Sequence, residues 1–463
     1  MKVLLIAYNN DSYIHVFPQG IAYIAAAIRN AGYDVEIYSQ DVYRYEEEHL
    51  TRYLNKNKFD VVGIGIIAGY YQYRKLLKIS AAINNSKNRP NYYILGGHGP
   101  TPEPEYFLKK TKADIVVMGE GEETIIEVLS AISESKDFKE VKGIAYRVED
   151  KVIVNDRRAP IQDVDSILMP AYDMFPIHYY RLLRLPHSVN GDYVMPVLSA
   201  RGCTFNCNFC YRMDSGYRPR KSEAIMEEIA YLQKDYGISY IDFTDELLMA
   251  SKNRVVEFCG AIKKTKLRFK WFCSGRLNYA TQDILKIMKD AGCVFINYGI
   301  ESFDDDALRK MNKALTTRQI TLGIEATCKV GISAGYNIIF GNIGENRETL
   351  KKGVEFLLKY DDGAQMRTIR PVTPYPGSPL YYHAIEKGIL KDVEDFYENK
   401  HINSDLLSVN FTDMCDEEFY TCLMEANTAL LENYYKNKLK EVTNITRNLY
   451  LNKDVSFRGY RQT

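Results

Sequence analysis

Apolar residues recur along this chain in two registers that alternate. The run KVLLIAY from Lys2 is continuously apolar, as a parallel strand covered on both faces should be. PQGIAYIAAAIRNAG follows, with Pro18 near its start, an apolar stripe at helical spacing and Gly32 as a stop signal. DVEIY, DVVGIGII, YYILGG and DIVVMG repeat the strand pattern, with helical segments between them. Such βαβ alternation predicts an open, doubly wound (Rossmann-like) parallel sheet over residues 1–135. Ligands of such sheets bind outside the strand C-termini. The loops Gly69-Tyr70-Tyr71, Gly96-Gly97-His98-Gly99 and Gly119-Glu120-Gly121-Glu122 are therefore candidate binding loops.

Residues 136–192 break the alternation. GIAYRVEDKVIVN reads as a β-hairpin turning at Glu149-Asp150, and the proline-rich stretch from Arg157 to Asp192 reads as a connector. A second series starts at YVMPVLSA (Tyr193) and continues through SYIDFTD, FKWFCSG, VFINYGI, GYNIIFG and MRTIRPV, with helical patterns between. Six βα units over residues 193–387 predict a partial (β/α)6 barrel with its chemistry at the strand C-termini. Residues 388–463 read as a helical, polar tail. The fold class is thus α/β: doubly wound sheet, partial barrel, helical tail.

Composition narrows the functional classes. Hydrophobic residues at 46% of 463 supply cores for two or three domains. Lys plus Arg (60) balances Asp plus Glu (60), so no global field favours nucleic acid or an anionic lipid surface. The N-terminus lacks a signal-peptide pattern, and no stretch is long and apolar enough to span a bilayer. Nine cysteines, an odd number without an export signal, fit free thiols in a reducing cytoplasm.

Three of them carry the sharpest signal. Cys203, Cys207 and Cys210, spaced CxxxCxxC, directly follow the first strand of the second series. Thiolates at this spacing can wrap one iron–sulfur cubane and leave one iron open to another molecule. Zinc, the main alternative, would want a fourth ligand in a paired knuckle, and none follows. CxxxCxxC at the end of a first barrel strand, with aromatic Phe209 before the last Cys, resembles the radical S-adenosylmethionine (SAM) signature. The resemblance implies a [4Fe–4S] cluster that binds SAM and cleaves it to a 5′-deoxyadenosyl radical. It extends over Phe243-Thr244-Asp245-Glu246, Gly275-Arg276, Gly299-Ile300-Glu301-Ser302, Gly341-Asn342-Ile343-Gly344-Glu345 and Pro374-Tyr375-Pro376-Gly377-Ser378-Pro379 at successive strand ends. It implies SAM contacts from Phe209, Asp245, Glu246, Arg276, Glu301, Ser302 and Gly341.

A doubly wound domain ahead of such a barrel resembles the cobalamin-binding radical SAM family over about residues 1–385. The matching segments are FPQGIAYIAAAIRNAGYDVEIY, GIGIIAGYY, GGHGPTPEPE and MGEGEET. Neither GxGxxG nor DxHxxG is present, so neither a dinucleotide fingerprint nor a histidine reaching cobalt from below is predicted. The resemblance implies cobalamin contacts from Gly20, Gly69, Tyr70, Tyr71, Gly96, Gly97, His98, Gly119, Glu120 and Gly121. Tyr70 or Tyr71 could lie beneath the corrin, set against plain aromatic packing. Cys259, Cys273, Cys293, Cys328 and Trp271 read as packing residues, and Glu46-Glu47-Glu48 as a solvated helix face.

The function implied is methylation of an unactivated carbon of a small molecule through the deoxyadenosyl radical and methylcobalamin. An external electron donor such as flavodoxin or ferredoxin would serve it. A cyclase, dehydratase or oxidative enzyme using the same radical, and a non-catalytic corrin-binding or electron-transfer module, are the alternatives.

Overall fold

The computed structural model describes residues 1–213 and 216–456. Its first sheet contains β1 (Lys2–Ala7), β2 (Asp34–Ser39), β3 (Val61–Gly65), β4 (Tyr92–Gly96), β5 (Ile115–Val117), β6 (Ile144–Val148) and β7 (Lys151–Val154). The order is β2-β1-β3-β4-β5-β6-β7, with β1 to β5 parallel and β6 and β7 antiparallel at the edge. The hairpin expected at Glu149-Asp150 forms, and it extends this sheet rather than standing apart from it. Leu4, Ile6, Val62, Ile64 and Leu95 are wholly or almost wholly buried, which accounts for the uninterrupted apolar runs.

The second half begins with β8 (Val194–Val197). A two-stranded hairpin, β9 (Ala200–Cys203) with β10 (Gly216–Pro219), interrupts the series before β11 (Tyr240–Phe243), β12 (Lys270–Gly275), β13 (Cys293–Glu301), β14 (Ser333–Phe340) and β15 (Arg370–Pro371). Strands β8, β11, β12, β13, β14 and β15 pair in parallel in chain order, forming the curled half-barrel. The sixth strand is shorter than MRTIRPV predicts. Pro371 and Pro374 lack the amide hydrogen a longer ladder would need.

The tail departs from its polar reading. Leu390, Phe396, Tyr397 and Val409 are buried in the same cluster as Leu4, Tyr73 and Phe107 of the first domain. Tyr397 stacks on Tyr73 at 4.5 Å, and Glu398 accepts from the Tyr73 hydroxyl at 2.5 Å and Arg74 at 3.0 Å. A helix at Asp416–Leu451 then packs on the barrel, where Phe419 stacks on Phe340 at 4.8 Å and Asn427 exchanges hydrogen bonds with the Ile369 backbone. No described helix is long and apolar enough to cross a membrane.

All nine cysteines are free. Cys259, Cys273 and Cys293 are buried as expected, but Cys328 is exposed. Trp271 is fully buried, and its indole donates to the Ala291 carbonyl at 2.8 Å. Glu47 is not simply solvated: it pairs with Lys75 at 2.7 Å.

Candidate functional site

The cysteine loop leaves β9 through Gly202, whose φ of +78° suits glycine and whose missing Cβ makes room for the Gly216 carbonyl. Cys203 is half-buried, Cys207 buried and Cys210 exposed. Among the described residues, no three His, Cys, Asp or Glu side chains converge as a single-ion nest. The loop is instead braced from several sides. The Asn208 amide donates to the Met311 carbonyl at 2.9 Å, its carbonyl accepts from Leu380 at 2.8 Å, and its side chain pairs reciprocally with that of buried Asn342 at 2.9 and 3.0 Å. Asn312 donates to the Asn206 carbonyl at 2.7 Å.

Two cations sit against the thiols. The Arg276 guanidinium lies 3.4 Å from the centroid of the Phe205 ring and donates to the Lys313 and Ala314 carbonyls. Lys313 pairs with Glu301 at 2.9 Å and stands 5.7 Å from the Phe209 ring centroid. A hydrogen bond from Cys210, with these two positive charges, holds the Cys207 thiol below its usual range despite burial. Three thiols on one braced loop beside fixed positive charge suit a thiolate-ligated cluster. Glu301 adopts φ +70°, an uncommon backbone state for a non-glycine residue and a mark of a constrained site.

The remaining expected SAM residues divide. Thr244 and Glu246 line the main cavity, whereas Asp245 between them turns inward and accepts from the Ser199 amide at 2.7 Å and hydroxyl at 2.5 Å. Gly341 gives its amide to Glu345 at 2.9 Å and backs onto Phe419, and Ser302 is buried. Asp245 and Gly341 thus brace the site. Burial pushes the Glu345 carboxyl up to about 8, although the Asn342 and Gly341 amides and the Ser302 hydroxyl oppose that rise.

A cavity of about 670 Å³ lies between the C-terminal ends of β1, β3, β4 and β5 and the cysteine hairpin. This is the switch point of the 2-1-3-4-5 parallel order, where such sheets bind ligands. Gly20, Gly96, Gly97, His98, Gly119, Glu120 and Gly121 line it as expected. At Gly20 and Gly119, nothing lies within 4 Å of where a Cβ would stand, so bare backbone faces open space. That cradle, in largely apolar walls, fits a broad flat macrocycle.

Gly69, Tyr70 and Tyr71, the other expected cobalamin contacts, do not line the cavity. Tyr70 starts the helix Tyr70–Asn84, and the first turn carries its ring away to His401 (6.3 Å) and Arg74 (5.5 Å). Tyr71 is 57% exposed. In their place the β3 end supplies Ile66 and Ile67, and the loop after β1 supplies Asn10 and His15. His15 is held through both ring nitrogens, by the Tyr179 hydroxyl at 2.8 Å and Asn9 at 2.9 Å. The polar loop YNNDSYIH was the sequence signal for these.

Glu120 does more than line the wall. It accepts from Arg201 at 2.8 Å, Arg218 at 2.9 Å and the Ile161 amide at 2.6 Å, while Glu122 accepts from Arg201 at 2.5 Å. Arg201 lies on β9 and Arg218 on β10, so this buried ionic clamp joins the glycine loop of the first sheet to the hairpin that carries the cysteines.

The description of the Radical SAM superfamily matches residues 197–357, and that of the B12 binding domain matches residues 7–129. An uncharacterized methyltransferase of Pyrococcus horikoshii is 30% identical over 427 residues, covering 88% of this chain and 90% of the relative. The anaerobic magnesium-protoporphyrin IX monomethyl ester cyclase of Rubrivivax gelatinosus is 27% identical, covering 82% of this chain and 68% of the relative. The solved structure of the radical S-adenosylmethionine methyltransferase TsrM from Kitasatospora setae, with cobalamin and [4Fe–4S] cluster bound, shares the fold. Its TM-score is 0.72 at 17% identity, covering 93% of this chain and 88% of that one. With both matched regions meeting at one cavity, the chain belongs to the radical SAM enzymes that carry a B12-binding domain.

Proposed function

We propose that this enzyme methylates an unactivated carbon of a small-molecule substrate, using a [4Fe–4S] cluster, SAM and cobalamin. The observation that carries this reading is the single cavity shared by the glycine cradle of the first sheet and the cysteine hairpin, lined from Gly20 and Gly119 across to Ala200, Gly202 and Arg212. When bound, the cluster supplies reductive cleavage of SAM and the corrin supplies a transferable methyl group.

The chain's own residues provide orientation and exclusion of water. Cys203, Cys207 and Cys210 would hold the cluster, with Arg276 and Lys313 offsetting thiolate charge. Phe209, Glu301 and Arg276, gathered around Lys313 beside the loop, would contact SAM, and Glu246 faces the cavity from the end of β11. Gly20, Gly96, Gly97 and Gly119 would take the macrocycle. Gln19 bridges the two walls, donating to the Pro196 carbonyl at 3.4 Å and accepting from Thr244 at 3.2 Å. A flavodoxin- or ferredoxin-type donor would deliver electrons in the cytoplasm, which suits nine free thiols.

The test is anaerobic production in cobalamin-rich medium with cluster reconstitution. About four irons and one corrin per chain are expected, with deoxyadenosine formed from SAM under reduction. SAM labelled in its methyl group should yield labelled products from a metabolite extract. Unlabelled product with deoxyadenosine formation favours ring closure, the chemistry named for the Rubrivivax relative. Iron without corrin would refute the two-cofactor reading.

A further inference from the structure

The half-barrel has two unlike faces. Ile241 and Phe243 of β11 pack outward, Phe243 meeting Phe258 of the helix Lys252–Lys264 at 5.2 Å. Tyr298 of β13 reaches Thr327 and Tyr336 of β14 reaches the Tyr360 carbonyl, so these too face the helices. Side chains alternate along a strand, which turns Asp242, Ser274, Asn297 and Asn337 into the lumen. Ser274 and Asn297 are half-buried and Asn337 is exposed, whereas their outward neighbours are sealed, so the lumen is open.

Asp242 stands out among them. It is 8% exposed, yet among the described residues no hydrogen bond or ion pair reaches its carboxylate. Its neighbour Asp245 is satisfied by Ser199. A buried acid without a donor is costly, and a fold does not retain one for stability. Burial, reinforced by Asp245, pushes its carboxyl up to about 7. On another wall, Arg367 fills the space beside Gly335 and donates to Asn297 at 3.2 Å, Asn337 at 2.9 Å and the Tyr336 carbonyl at 3.1 Å. The lumen therefore carries both a fixed cation and, among the described residues, an acid that no protein group pairs with.

We propose that Asp242 is the substrate-recognition residue of this barrel, and that the substrate is a polar small molecule presenting an amine or hydroxyl to it. A hydrocarbon substrate would leave Asp242 buried and unpaired. The proposal rests on the reading that the barrel of a two-cofactor enzyme receives the substrate.

The test uses the full chain with cluster and corrin loaded, as wild type, Asp242→Asn, Asp242→Leu and, for contrast, Asp245→Asn. Both Asp242 variants should unfold at urea concentrations equal to or above wild type, while Asp245→Asn unfolds earlier. In thermal-shift assays, some members of a panel of amino acids, amino sugars and nucleosides should raise the wild-type melting temperature by several degrees. That shift should vanish in Asp242→Leu. Early unfolding of both Asp242 variants assigns the residue a structural role and overturns the proposal. So does a shift retained in Asp242→Leu, a shift from squalene-type hydrocarbons alone, or no shift from any compound. Wild-type protein that fails to take up iron or corrin refutes the underlying reading instead.

Discussion

Replacing Arg201 with methionine tests the clamp between the two domains. Among the described residues, Arg201 is the one partner of the Glu122 carboxylate and one of three for Glu120, and the side chains of Arg201, Glu122 and Glu120 are only 15%, 11% and 6% exposed. Methionine keeps an apolar stem but removes the charge, and with it the guanidinium 5.4 Å from the Tyr23 ring centroid. Glu120 keeps Arg218 and the Ile161 amide, so one carboxylate is orphaned rather than two. Breaking a buried pair costs about 3–5 kcal/mol, and the surviving partners of Glu120 place this case near the lower end, about 3 kcal/mol. Because the seam opens locally, that loss corresponds to roughly a hundredfold more open state. Hydrogen exchange measured on peptides spanning residues 116–124 and 198–205 should lose protection by about that factor, while β2 and β13 stay protected. Adding Glu122→Gln removes the orphaned charge and should recover about half of the loss in free energy. Protection falling less than about threefold, or a double variant no better than the single one, would refute the reasoning.

Other outcomes follow from the same geometry. Gly20→Leu meets no protein atom near its Cβ but enters the cavity, so corrin affinity should fall at least tenfold by equilibrium dialysis, with unchanged circular dichroism and iron content. Glu345 has a raised folded-state pKa of about 8, so its stabilising contribution is complete below its unfolded value and is lost as pH rises towards 8. Glu345→Gln should therefore gain on wild type between pH 5 and pH 8 in urea titrations; a constant difference would contradict this. For Glu120 the sign reverses. Burial raises its carboxyl, yet hydrogen bonds from Arg218 and Arg201 leave it below its ordinary value, so the clamp is whole above about pH 4.5 and fails as pH falls through the depressed value. In Arg201→Met, acid-induced exchange of the seam should begin at higher pH. Gly377→Ala would strain a φ of +91° and press on the Tyr211 ring beside Cys210, so reconstituted iron should drop while the N-terminal sheet keeps its exchange protection.

Local pattern carried the architecture. Strand and helix periods, with glycines at strand ends, sufficed for both sheets, and the cysteine spacing singled out the loop after β9. Through-space partners were less legible. Lys313 follows Glu301 by twelve residues without a motif, and the Asn208–Asn342 pair joins loops far apart in the chain. The direction of Tyr70 and Tyr71 was not legible, because a strand-end position does not give the rotation of the next helix's first turn. The apolar residues of the tail, Leu390, Phe396, Tyr397 and Val409, follow no period, since a π-helix and irregular backbone carry them.

That tail has a consequence for how the protein is made. Tyr73 and Phe107 share their cluster with residues that follow the entire barrel in the chain. On the ribosome, the first domain would emerge with that apolar face uncovered and keep it so until residue 409 had left the exit tunnel. Completion of the corrin-binding half thus falls after synthesis of the cluster-binding half. The first domain is therefore not an independent building block, and transplanting it alone would leave that apolar face bare.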